Sequence, residues 1–161
     1  MKAPLSIALL LLLQPFGVYA EKLGMIGQGE TKVSRYLDVE RVDPVVLANA
    51  LAATNSFLDA LYKRSSRAAW RKFSKLGKNY VNKDDWFNSI EDALVKNGVR
   101  LGSEFVRARR TEDLGTVGKG DYVIIVLKSE YEKRVLIETL ALSVERRKWR
   151  VGSYSFQAVL P

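Results

Sequence analysis

The chain has 161 residues, with 26 Lys and Arg against 18 Asp and Glu, a formal charge of +8, and no cysteine or histidine. Lacking both, it has no disulfide, no thiol or imidazole catalysis, no Ser-His-Asp triad and no zinc site of His or Cys ligands. A basic surplus draws a chain toward lipid headgroups, acidic glycans or nucleic acid, although one of this size also serves plain solubility.

Residues 1–20, MKAPLSIALLLLLQPFGVYA, open with the positive Lys2 and an apolar run from Leu5 to Leu13. Pro15 and Gly17 break any helix there, and Val18-Tyr19-Ala20 fits a signal peptidase site. This is the layout of a cleavable secretory signal cut after Ala20, which predicts a periplasmic or secreted product. A membrane anchor needs about 20 apolar residues, and this run is shorter. A lipid-anchored form needs a cysteine at the cut, and there is none. No later stretch reads as a membrane span. The remaining 141 residues carry +7 and fit one domain held by its own core.

Residues 21–42 read as a flexible leader. Gly24, Gly27 and Gly29 suggest a phosphate loop, but their order is not G-x-G-x-x-G and no Lys-Ser/Thr follows. Val33 to Val42 fits either a short helix or an extended arm. A single domain is expected over 43–161. Asp43-Pro44 predicts a helix start. Leu47, Leu51, Thr54, Leu58 and Leu61 line one face as far as Tyr62, widened by Ala50 and Phe57. A second short helix is expected from Ser65 or Ser66, with Trp70 and Phe73 inward and Gly77 as its stop. Lys63, Arg64, Arg67, Arg71, Lys72 and Lys75 load it with charge. A third runs from the Asn82 cap to Asn97-Gly98, with Asp84 and Asp85 at its positive end and Phe87, Ile90 and Leu94 as its apolar face.

From Leu101 the period changes to that of strands. Strands are expected over 103–111, 122–131, 135–144 and 148–158, joined by short connections and therefore antiparallel. The inner face of the last two is expected to carry Leu136, Leu140, Leu142, Val144, Trp149 and Val151. Helices followed by a meander give an α+β fold: N-terminal helices packed on one face of a four-stranded antiparallel sheet.

The segments SFLDALYKRSSRAAW, RLGSEFVRAR, GKGDYVIIVLKSEY and ETLALSVERRKWRVGSY, in that order, resemble the secreted bacterial domains of unknown function called DUF4019. The matching positions are Leu58, Tyr62, Trp70, Glu138, Thr139, Leu140, Trp149, Arg150, Val151, Gly152 and Tyr154, and the likeness covers roughly residues 47–156. Glu145-Arg146-Arg147-Lys148 departs from it, because a Gly-containing turn is expected there. The resemblance implies a cystatin-like or NTF2-like shape and export to the envelope, and brings no catalytic residues.

Of the acids, Asp84/Asp85 are explained by the helix dipole, Glu91/Asp92 lie on a polar face and Glu112/Asp113 flank a loop. Glu138 alone sits mid-strand between apolar neighbours. Its plain reading is an ion pair with an arginine such as Arg150 or Arg107; the alternative is a cleft acid. Arg107 and Arg109 are expected to share a strand face with Phe105, and Arg146, Arg147 and Lys148 form a compact turn cluster. These five are the candidate binding residues, because guanidinium forks suit phosphate and carboxylate. Solvated charge protecting a sheet edge is the plainer reading. Trp70, Trp86 and Trp149 are expected in the core.

The functional expectation is an exported, non-enzymatic envelope domain binding a protein partner or an anionic lipid or glycan. The alternative is a small carboxylate-based enzyme with a pocket between sheet and helix. No cofactor, metal or nucleic acid is implied.

Overall fold

A computed structural model describes residues 38–40, 42–62, 65–115 and 118–159. The signal segment and most of the leader lie outside the described residues, as do Lys63 and Arg64.

Helix α1, Pro44–Tyr62, starts as the Asp43-Pro44 pair predicts. The Asp43 carboxylate accepts from the Val45 and Val46 N–H groups at 2.9 and 3.2 Å. Its buried face is Ala50, Thr54, Phe57, Leu58 and Leu61. By length and composition α1 reaches the range of a membrane span, against the expectation that no later stretch does. That apolar face packs on the sheet instead.

The second helix is two. Helix α2, Ser66–Trp70, is capped by the Ser65 hydroxyl, and α3, Lys75–Tyr80, by the Ser74 hydroxyl. Between them the chain leaves the helix to meet the sheet: the Ser74 N–H donates to the Val151 carbonyl at 2.8 Å, and the Val151 N–H to the Lys72 carbonyl at 3.0 Å. Gly77 therefore does not end a helix. It lies inside α3, where a Cβ would come within 2.5 Å of the Gly152 carbonyl oxygen. Helix α4, Lys83–Asn97, begins at Asn82, whose side chain accepts from the Asp84 and Asp85 N–H groups, and ends at Gly98 with φ +79°.

Strands β2 (Arg100–Asp113), β3 (Lys119–Tyr131), β4 (Val135–Glu145) and β5 (Lys148–Ala158) form the expected antiparallel meander. A three-residue strand, β1 (Asp38–Glu40), adds a parallel edge beside β2, with Asp38 opposite Arg107 and Glu40 opposite Arg109. This fifth strand falls within the segment read as a leader. The sheet order is β1-β2-β3-β4-β5.

The helices cover one face of the sheet, as expected. Val123, Ile125 and Leu127 of β3, Leu140 and Leu142 of β4 and Val151 of β5 meet α1 there. Each fully buried leucine of this layer contributes about 1.5–3 kcal/mol. On the other face Ile124, Val126 and Ala141 form a second buried cluster. Strand β3 is apolar on both faces because it is central. Trp70, Phe73, Trp86 and Phe87 stack with centroids 5.2–5.9 Å apart, joining α2 and α4. Trp149 is half-buried against the same core. Val144, expected on the inner face, is 57% exposed near the end of β4, although α3 comes as close as the neighbouring Glu145, which accepts from the Lys75 N–H.

Candidate functional site

Two charged clusters stand out. The first surrounds Glu138, which β4 holds on its helix-facing side between Leu136 and Leu140, with no solvent exposure. Tyr154 of β5 and Tyr131 of β3 donate to Oε1 at 2.7 and 3.0 Å. Ser129 donates to Oε2, and Tyr62, the last residue of α1, lies 3.3 Å from it. Arg100 Nη2 is 3.4 Å from Oε2 and 3.1 Å from the Ser129 hydroxyl. The Arg100 guanidinium stacks 4.3 Å above the Tyr62 ring, and its Nε is buried without a partner. Burial first, and then the Glu138 charge, push the Tyr62, Tyr131 and Tyr154 hydroxyls well above the usual phenol range. The phenols therefore stay protonated and donate. The space beside them, about 10 Å³ between Tyr62, Tyr131, Leu136 and Tyr154, has room for a single water at most. Chemically this cluster is a tie between α1 and four strands.

Glu138 was legible as an oddity, and its plain reading as half of an ion pair holds. The partner differs: it is Arg100, not Arg150 or Arg107. Arg150 donates to the Arg71 carbonyl at 3.1 Å, and Arg107 is exposed on the far face. A register shift between Arg100 and Gly102 sets Arg100 apart from the pleat of β2. Nothing in a single sequence marks that shift.

The second cluster is at the β4–β5 hairpin. Its two-residue turn is Arg146-Arg147, with φ of +51° and +62°. Positive φ at both positions favours Asn-Gly, and a side chain in this region costs about 1–2 kcal/mol per residue. Beside the turn opens a cavity of about 570 Å³ lined by Arg71, Lys75, Lys78, Arg146, Lys148 and Arg150. Phe73 also lines it, and Glu145 is its one acid among the described residues, with Oε2 accepting from the Lys75 N–H at 3.0 Å. Six cations face one carboxylate in an open groove.

The five candidate binding residues do not converge. Arg146 and Lys148 line the groove, and Arg147, between them in sequence, is exposed and not among its lining residues. Arg107 and Arg109 pair with Val126 and Ile124, on the face away from the helices. Phe105 packs against the core instead, because a bulge between Phe105 and Arg107 reverses the alternation. Arg109 and the turn are two strand spacings apart across the sheet and five residues apart along it, about 20 Å in all. Sequence reasoning placed Arg71 and Lys75 among the charges of the second helix but did not join them to the turn, because the bridge from Phe73 to Val151 that brings them there is tertiary. A further surface cavity of about 320 Å³ holds Arg110, Glu112, Lys119 and Asp121. There Arg110 binds Asp121 through two 2.7 Å hydrogen bonds, which raise the guanidinium pKa and lower that of the carboxylate.

A family model described as "Protein of unknown function (DUF4019)" matches residues 53–154. No curated protein and no solved structure matches the chain.

Proposed function

The chain belongs to the DUF4019 family of proteins of unknown function, and from that premise we propose that it is an exported, non-enzymatic domain whose hairpin groove binds an anionic component of the cell envelope. The observation that carries this reading is the groove: about 570 Å³, open, with six cationic side chains and one carboxylate. These residues hold a surplus of five charges, against +8 for the whole chain. Charge that served solubility alone would be spread more evenly over the surface. The left-handed arginines support the reading from a second side. Their strain opposes folding, and strain of that kind collects at functional positions. Glu138 supports no catalytic reading, because the space beside its partners admits no substrate. Export rests on the layout of residues 1–20, and N-terminal sequencing of the mature protein tests it: it should begin at Glu21.

Binding to anionic vesicles, measured at 50 and 500 mM salt, tests the groove. Surface attraction is screened over about 10 Å at 0.1 M and about 3 Å at 1 M. Affinity is expected to fall at least tenfold between the two salts, and a comparable amount at low salt on Arg146→Ala/Arg147→Ala/Lys148→Ala. Equal binding at both salts, or an unaffected triple variant, overturns the reading.

A further inference from the structure

The arrangement of charge in the groove narrows the ligand class, and we infer that it takes a molecule with two phosphate groups, one against each wall. This rests on the anion-binding reading above. One wall is the α2–α3 segment, with Arg71, Lys75 and Lys78; the other is the hairpin, with Arg146, Lys148 and Arg150. The walls are fixed to each other at the base. Arg150 Nη1 donates to the Arg71 carbonyl at 3.1 Å, and the Lys75 N–H donates to Glu145 at 3.0 Å. Phe73, 3% exposed, sits between them. The groove is therefore built before a ligand arrives, with three cations facing three.

A phosphomonoester carries roughly −1.5 to −2 at neutral pH and three strong acceptor oxygens. One such group answers one wall and leaves the cations of the other uncompensated. Two groups deliver about four negative charges, close to the surplus of five. Carboxylates supply one charge each. A glycan of uronic acids therefore supplies one charge per ring, about half of what a phosphomonoester brings. Arginine on both walls adds the planar fork that engages two phosphate oxygens at once. The phosphate pair has two sources, a bisphosphorylated lipid headgroup or a soluble polyphosphate.

The test is calorimetric titration of the purified full-length protein with orthophosphate, pyrophosphate, tripolyphosphate and citrate, at fixed low salt. Vesicles containing a lipid with two phosphomonoester groups (lipid A) or its monophosphorylated form, at matched total charge, form the second arm. Engaging both walls at once is expected to make pyrophosphate or tripolyphosphate bind about 100-fold tighter than orthophosphate, with citrate near orthophosphate. Arg71→Gln/Lys75→Gln, and separately Arg146→Asn/Arg147→Gly, should each bring the polyphosphates down to the orthophosphate level. The Asn-Gly variant relieves the turn, so it melts higher than the parent, and its lost binding is not a loss of fold. A preference for the bisphosphorylated lipid over its monophosphorylated form identifies the lipid source; a polyphosphate preference without one identifies the soluble source; either supports the two-phosphate ligand. Citrate binding as tightly as the polyphosphates overturns the inference and leaves the anion-binding reading standing. No binding by any probe or vesicle overturns both.

Discussion

Glu138 is fully buried and has five side-chain partners among the described residues, so removing its carboxylate strands the Arg100 guanidinium, itself only 12% exposed, beside three phenols. A buried charge left without its partner costs about 3–5 kcal/mol. Glu138→Leu is therefore expected to lose about that much in urea unfolding, and Arg100→Leu added to it should recover part of the loss. Equal stability of Glu138→Leu and the parent would show that the Arg100–Glu138 cluster does not hold the fold together. The tyrosines set an alkaline limit. Their folded pKa values are raised above the ordinary value near 10, so above that pH the unfolded chain releases phenolic protons that the folded chain keeps. Stability from this source is complete below about pH 10 and is lost as pH rises, by up to about 1.4 kcal/mol per unit for each phenol. Urea midpoints between pH 8 and 11.5 should be flat and then fall, and Tyr154→Phe should flatten the fall; an unchanged slope in that variant would count against this account. Glu138 was visible in the sequence because a charge amid Leu136, Ile137 and Leu140 violates the alternation. Its ring of donors was not, because Arg100, Ser129, Tyr131 and Tyr154 lie on three other strands and Tyr62 on a helix end.

The boundaries of α1, α4, β4 and β5 were legible to within about a residue because each begins and ends on a local signal such as Asp43-Pro44, Asn82 or Gly98, whereas β2, read as 103–111, runs from Arg100 to Asp113 and β3, read as 122–131, starts at Lys119. The region between α1 and α4 was not. Gly77 read as a helix stop, whereas its place in α3 follows from what approaches it across space. Gly77→Ala gains up to about 1 kcal/mol in helix propensity, but it forces a methyl to within 2.5 Å of the Gly152 carbonyl. Overpacking of that kind costs about 1–3 kcal/mol. A net destabilisation is expected in thermal melts, with Gly102→Ala as the control, since a Cβ at Gly102 meets nothing within 4 Å. A Gly77→Ala melting temperature at or above that of the parent would mean that α3 and β5 slide apart freely. Val144 teaches a related lesson. Its parity on β4 is that of the core, but parity fixes only the side of the sheet, and whether a helix lies over it is decided elsewhere in the chain.

At the scale of the whole molecule, one apolar layer joins α1 to β3, β4 and β5, and the aromatic stack of Trp70, Phe73, Trp86 and Phe87 extends it to α2 and α4. That continuity gives a chain without disulfides one main core, beside the smaller cluster on the far face of the sheet, and the charge surplus of the groove lies at the hairpin end, where Val144 is exposed. The α+β class, with helices on one face of an antiparallel sheet, was legible from the order of the periods alone. The β1 edge was not, because three residues carry too little pattern to read. The main-chain bonds from Lys72–Ser74 to Val151 have one more consequence. Beyond β4, strand β5 is the rim of the sheet, and this short segment is what occupies its backbone there. If the segment peels away under heat or acid, amide groups on that rim become a template onto which another molecule can add a strand, the first step toward fibrils. Arg71, Phe73 and Lys75 of the same stretch line the groove, so a ligand bound there would also bolt this guard in place, and ligand-loaded protein is expected to resist aggregation longer than empty protein.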